Sequence, residues 1–251
     1  DSALTLALAV DAIGAEKVHA VMMPSRYTAE ISLDDAKAMA DGLGVQYSLI
    51  SIEPVFNQFL DTLSTQFAGL PADTTEENIQ ARCRGIILMA LSNKFGYMVL
   101  STGNKSEMAV GYSTLYGDMA GGYAPLKDVY KTLVYRLSRH RNSLSAVIPE
   151  RIITRPPSAE LSEGQLDQDS LPPYEMLDVI LERYIADDSC FEDLVEEGYD
   201  AEVVARVIKM VDRNEYKRRQ APPGIRISSR AFGRDRRYPI TSGYTVTATI
   251  E

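Results

Sequence analysis

The chain has 251 residues, with 26 lysines and arginines against 35 aspartates and glutamates, and its formal net charge of −9 argues against a nucleic-acid partner held through a broad basic footprint. Its two cysteines, Cys83 and Cys190, and two histidines, His19 and His140, give no disulfide framework and no metal-ligand spacing; they argue against a histidine-rich zinc site or a Ser-His-Asp hydrolase. No apolar run approaches the length of a transmembrane helix and no signal peptide is visible, so the expectation is a cytoplasmic protein, long enough for one large α/β domain or two small ones, with no membrane partner.

The chain opens on Asp1-Ser2, either of which can cap the apolar helix that follows. A helix N-terminus is also a ready anion site, because its free N–H groups and positive dipole end coincide. No strand precedes this helix, and the expectation is a chain cut at its front that has lost at least one strand. Residues 18–23 read as a strand ending in the polar loop 24–28. Ser32 is expected to cap the next helix, with Asp35 reaching back as in a capping box, and Gly42-Leu43-Gly44 ends it. Residues 45–50 alternate as another strand, so the order helix, strand, helix, strand predicts a parallel sheet with helices on its faces.

An amphipathic helix is expected over 54–67, and Thr74-Thr75-Glu76-Glu77 signals the start of a long one reaching Phe95. Asn78 and Arg82, four apart, share one face of it, as a solvated pair or as a grip on an anionic ligand. Tyr97-Met98-Val99-Leu100 is short, apolar and bounded by Gly96, which predicts a buried strand. The following Ser101-Thr102-Gly103-Asn104-Lys105-Ser106-Glu107 presents hydroxyls, an amide, an ammonium and a carboxylate. That mixture suits a nucleotide with its metal, and it also suits an ordinary polar loop. In an open parallel sheet ligands lie outside the carboxyl ends of the strands. Asp1-Ser2, the loop after Met23 and the loop after Leu100 should therefore converge.

Gly111, Gly117, Gly121 and Gly122 punctuate the next loop, and an amphipathic helix is expected over 127–137 with Lys131 near its start, by default on a solvated face. Residues 149–173 are rich in Pro, Ser, Glu and Asp and predict an extended, mobile segment. Short helices follow around 174–184, 190–197 and 201–214. The tail 213–237 is basic, which in an acidic protein predicts either an anion or an acidic neighbour. Segments 24–33 and 155–172 are expected to order on ligand binding.

With these residues in view the chain resembles the synthetase domain of glutamine-dependent NAD synthetase, over essentially its whole length. The matches are Asp1-Ser2 as the end of an SGGxDS loop, ENIQAR at 77–82, STGNKSE at 101–107, GYSTLYGD at 111–118 and PLKDVYKT at 125–132, continuing through RPPSAEL, LPPYEMLD, EYKRRQAPPG and AFGRDRRYPIT. The resemblance implies a Rossmann-like doubly wound parallel sheet, adenine nucleotide alpha hydrolase-like, with a helical C-terminal portion. It implies one domain over 1–251, with a glutaminase domain expected upstream but absent from this sequence, and a homodimer or larger assembly.

The activity implied is amidation of deamido-NAD: ATP adenylates the nicotinate carboxylate, then ammonia from glutamine displaces AMP, with Mg2+ as cofactor. By resemblance Ser2 and Lys131 hold ATP phosphates, Thr102 contacts ATP, and Asp1 binds magnesium. Glu107 shares that metal or orients the dinucleotide; Asn78, Arg82 and Lys217 bind substrate; Asp118 lies near the reacting nicotinate. Ser158 stands where many relatives have an ATP-binding threonine, and Arg26 is a candidate on the ATP side. Leu115 and Gly122 replace a lysine and an aspartate typical of short ammonia-dependent relatives, which favours the long type. The competing expectations are another ATP pyrophosphatase-type synthetase and a non-catalytic nucleotide-binding module.

Overall fold

A computed structural model describes residues 1–246. In chain order the elements are α1 (Ser2–Ile13), β1 (His19–Met22), α2 (Glu30–Leu43), β2 (Gln46–Leu49), α3 (Glu53–Leu63), α4 (Thr74–Phe95), α5 (Lys105–Val110), α6 (Lys131–Leu144), α7 (Glu150–Thr154), α8 (Tyr174–Ile185), α9 (Phe191–Glu196), α10 (Ala201–Arg213) and α11 (Glu215–Arg218). β1 and β2 pair in parallel, from His19 opposite Gln46 to Met22 opposite Leu49, with α2 as the crossover that parallel strands require. Gly44 ends α2 in the left-handed region at φ 68°, which glycine adopts without steric cost and which turns the chain back into β2.

The buried strand expected at 97–100 does not form. Leu100 makes a single parallel bridge to Tyr123, Tyr97 is exposed, and Met98 is 69% exposed. A strand needs a neighbour along each paired edge, and this segment has one only through Gly122 N–H to the Val99 carbonyl and Ser101 N–H to the Tyr123 carbonyl. Toward β1 it is met by a side chain, His19, edge-on to the Tyr97 ring at 6.0 Å.

Among the described residues, three apolar clusters hold the helices. Leu177, Ile180, Leu181 and Ile185 repeat at helical spacing on α8 and are fully buried against Val204, Val207, Ile208 and Val211 of α10. Each such side chain contributes about 1.5–3 kcal/mol of burial. A second cluster joins Leu4 and Ala7 of α1 to Met39, Leu126 and Val134, and a third joins Phe56 of α3 to Ile79 and Cys83 of α4.

Two capping expectations are corrected. α2 begins at Glu30 with Ala29 in the cap position, so Ser32 lies inside the helix; its hydroxyl donates to Glu160 and Asp35 pairs with Arg151 instead. α4 is capped by Asp73, which accepts from Thr75 N–H while Glu76 reaches back to the Asp73 amide. The 149–173 stretch is not simply extended. It includes α7, and Asp167 and Leu171 within it are buried. Arg155 and Glu160 both bond Ser32, so this stretch and the start of α2 are fastened together.

Gly85 sits in the interior of α4, where glycine costs about 1 kcal/mol relative to alanine. The loop after α5 explains it: a Cβ at Gly85 would stand 2.6 Å from the Tyr116 carbonyl oxygen and 3.0 Å from that of Gly117. Backbone lies directly on backbone there. Gly85→Ala should therefore lower stability by about 1–3 kcal/mol despite its better helix propensity, measured by urea unfolding. A stability at or above that of the parent protein would contradict this packing.

Candidate functional site: a lysine between two carboxylates

The site grows from the first residue of α6. Lys131 is 6% exposed, not solvated, and its ammonium lies 2.5 Å from Asp1 Oδ2 and 3.9 Å from Glu107 Oε1. Asp1 occupies the cap position of α1 but makes no side-chain cap, because its carboxylate is turned to Lys131 and to Asn104 Nδ2 at 3.1 Å. Fully buried Asn104 orders both carboxylates: besides bonding Asp1 it caps α5 at Glu107 N–H, 3.0 Å, and donates its own N–H to Glu107 Oε2, 3.2 Å. Burial pushes the Glu107 carboxyl above its ordinary range, against the pull of Lys131 and of the Asn104 amide. The Lys131 ammonium also lies 5.6 Å from the ring centres of Tyr135 and Tyr174.

Behind the cluster, Ser106 Oγ accepts from Lys131 N–H at 2.9 Å and donates to Asp178, whose second oxygen accepts from Thr132 N–H at 2.8 Å. One carboxylate on α8 thus sets the start of α6 against α5.

A second constellation gathers on the 111–118 loop. Asn78 Oδ1 accepts from Thr114 Oγ1 at 2.7 Å, and Arg82 Nε donates to the Leu115 carbonyl at 3.2 Å. Lys217 Nζ donates to the carbonyls of Gly111 and Ser113, both at 2.7 Å, and Asp118 accepts from Thr114 N–H at 2.7 Å. The two constellations meet in one pocket, lined by Ser101, Gly103, Glu107, Ser113, Asp118 and Lys127 among others. The Asp118 residue keeps contact with solvent at the mouth, while the protein crowding its carboxylate pushes its pKa up to about 6, net of the Thr114 amide and Lys217. A carboxylate titrating there exchanges protons near neutral pH.

Not every expected site residue joins these groups. Arg26 is spread over the Glu53 carboxylate and Asn57 Oδ1 at the loop after β1. Ser158 closes its own turn, donating to the Gln165 carbonyl and accepting from Glu160 N–H. Ser2 is exposed at the start of α1, and Thr102 is half-buried beside Ser101, whose hydroxyl bonds the Asp118 carbonyl. The basic tail meets acids of its own chain: Arg218 and Arg219 pair with Glu215, Arg226 with Asp235, and Arg230 and Arg236 with Asp188.

Sequence reasoning overlooked Lys105. It is fully buried, 2.8 Å from Asp128, 2.6 Å from Ser228 Oγ and 2.7 Å from the Arg230 carbonyl, so it ties the tail to the loop bearing Asn104 and Glu107. Burial pulls its pKa down against the hold of Asp128. The signal was present in the lysine at the centre of STGNKSE, but its partners lie 23 and more than 120 residues away.

The NAD synthase family matches residues 1–221. The chain belongs to that family. Among its relatives, the glutamine-dependent NAD(+) synthetase of Acinetobacter baylyi is 62% identical over 246 residues, covering 97% of this chain and 46% of the relative. That of Thermotoga maritima is 54% identical, covering 97% of this chain and 43% of its own length. The chain thus spans about half the length of the curated relatives it matches. The structure of glutamine-dependent NAD+ synthetase from Acinetobacter baumannii, in complex with ADP, is similar at TM-score 0.62 and 57% identity over 98% of this chain and 44% of that one. NMN synthetase from Francisella tularensis is similar at TM-score 0.71 and 26% identity, over 86% of this chain and 81% of that one. The NAD synthase family member described here is accordingly of the adenine nucleotide alpha hydrolase-like α/β fold, with helices packed around a parallel sheet.

Proposed function

We propose that this chain carries the amidation of deamido-NAD to NAD, with adenylation of the nicotinate carboxylate by ATP followed by attack of ammonia. The observation that carries the reading is Lys131 held between Asp1 and Glu107, the latter of which lines the pocket that contains Asp118. In the first step a carboxylate oxygen of the nicotinate bonds the α-phosphorus of ATP and pyrophosphate leaves. No protein nucleophile is needed, so the demand on the protein is positioning and charge neutralisation. Lys131 supplies the positive charge for the phosphates, with Ser2, Thr102, Arg26 and Ser158 as further candidates on the ATP side. Asn78, Arg82 and Lys217 shape the loop that receives the dinucleotide.

Mg2+ fits the cluster. Two hard carboxylates, Asp1 and Glu107, converge on one cation, and magnesium is usually held by one or two carboxylates together with substrate phosphates. When bound, it would neutralise charge on the leaving pyrophosphate. In the second step ammonia attacks the acyl carbon, AMP leaves, and Asp118 is placed to accept the proton shed by nitrogen. Glutamine, through a glutaminase domain, is the expected source of ammonia, and a second copy of the chain is the expected partner. The exposure of Ile86, Met89 and Phe95 on α4 supports that partner.

The test is to incubate the protein with deamido-NAD, magnesium-ATP and ammonium and to measure NAD and AMP. Both should form in equal amounts; AMP without NAD would point to another acceptor, and ATP binding without AMP to a binding module. At a fixed concentration of free ammonia, the single-turnover rate of the amidation step should rise as pH passes through about 6, as Asp118 ionises, and Asp118→Asn should remove that limb. A limb unchanged in the variant would assign the proton to another group.

A further inference from the structure

The pocket carries more donors than its own chain uses. Two carboxylates, Glu107 and Asp118, line it, and Lys127 is the single cation among its described lining residues. Lys127 Nζ donates to the Pro222 carbonyl at 2.6 Å, and among the described residues no carboxylate pairs with it. An ammonium has three donors, so two remain open. Opposite in chain terms, Ser113 Oγ lines the same pocket, is buried, and has no hydrogen-bond partner among the described residues. Its backbone is fixed, because the Ser113 carbonyl holds Lys217. Buried polar groups are normally satisfied, and an orphan hydroxyl lining the same pocket as an under-used ammonium marks the place of an arriving acceptor.

We propose that Lys127 and Ser113 together bind the free carboxylate of the dinucleotide acid, and so select the acid over its amide. This rests on the amidation reading above. A carboxylate offers one oxygen to each donor and carries a single charge, which one ammonium can compensate. A phosphate would bring more charge between Glu107 and Asp118, and the cation suited to it is Lys131 in the neighbouring cluster. The half-buried position of Lys127, which lowers its pKa by desolvation, shields the interaction from water and strengthens it. Once the carboxylate has become an amide its charge is gone, Lys127 loses its counterion, and the product is held less tightly than the substrate. The same pair thus favours both selection of the acid and release of the amide.

Isothermal titration of the protein with deamido-NAD and, separately, with NAD tests this without turnover. The parent protein should bind the acid about tenfold or more tightly than the amide, the scale of one charge-assisted pair. Lys127→Met should weaken the acid about tenfold and leave the amide within about twofold, while Lys127→Arg retains most of the preference. Ser113→Ala, which removes no packed atom beyond one oxygen, should erode the preference several-fold and carries the test should Lys127→Met fail to fold. Equal weakening of acid and amide, or an unchanged preference in the Ser113 and Lys127 variants, overturns the assignment while leaving the amidation reading intact. Binding of neither dinucleotide by the parent protein overturns both.

Discussion

On the proposed amidation, replacing Lys131 with methionine should lower the rate of AMP and pyrophosphate formation by about 10²–10³-fold, the scale expected when one preorganised charge is removed from a transition state. The side chain is withdrawn from water between Asp1 and Glu107, so its charge acts through little solvent. The fold around it should survive, because the Asp1 and Glu107 side chains keep 16% and 17% exposure and stay in reach of water when the cation goes, unlike Asp128 at 4%. The start of α6 is fixed by backbone groups, Lys131 N–H to Ser106 and Thr132 N–H to Asp178, and neither needs the ammonium. Loss of rate with a melting temperature within a few degrees of the parent is therefore the expected pair of results, read by pyrophosphate release and thermal unfolding. A rate within about tenfold of the parent would remove Lys131 from the phosphate side.

Lys105→Met should act in the opposite way, on stability first. The ammonium is completely buried with Asp128, which also accepts from the Ile227 and Ser228 amides. Removing the cation leaves a buried carboxylate with an uncompensated charge, a change that costs about 3–5 kcal/mol. Burial alone pushes Asp128 up, but Lys105 and the Ser228 and Ile227 amides hold it below the usual carboxylate range in the folded protein. Its share of stability is present above the unfolded pKa and is lost as pH falls through the folded one. Urea unfolding at neutral pH should show the loss, and a second substitution, Asp128→Leu, should recover part of it. A cost below about 1 kcal/mol would mean that the tail is held elsewhere.

Local rules read much of this protein from its sequence. α8 and α10 follow from apolar spacing, and the parallel β1–β2 pair follows from two short strands separated by a helical pattern. What failed were choices among neighbours. Ser32 has the chemistry of a helix cap, but Glu160, 128 residues on, claims its hydroxyl, so tertiary contact overrode the local signal. The 97–100 segment has strand composition, yet strand identity depends on partners, and its pairing stops at one bridge. Lys131 followed the same logic. A lysine on an amphipathic helix is solvated by default, and only the arrival of Asp1, 130 residues away, makes it a buried cation. The family resemblance found that residue because motifs record the outcome of such long-range meetings. It did not find Lys127 or Ser113, whose open donors become visible only once the pocket has walls.

The tie between Lys105 and the tail has a consequence for how the protein is made. A chain leaves the ribosome from its N-terminus, and domains tend to fold as units once enough has emerged. The loop that holds Asn104 and Glu107 is synthesised more than 120 residues before Ser228 and Arg230, and until these follow, the lysine at its centre has only Asp128 of its three partners. Until then a charged side chain sits where the finished protein has none exposed, and the loop has every reason to stay open to water. The nascent polypeptide therefore completes this buried tie only after Arg230 has emerged, so a chain interrupted before that residue lacks two of the groups that hold Lys105 in place.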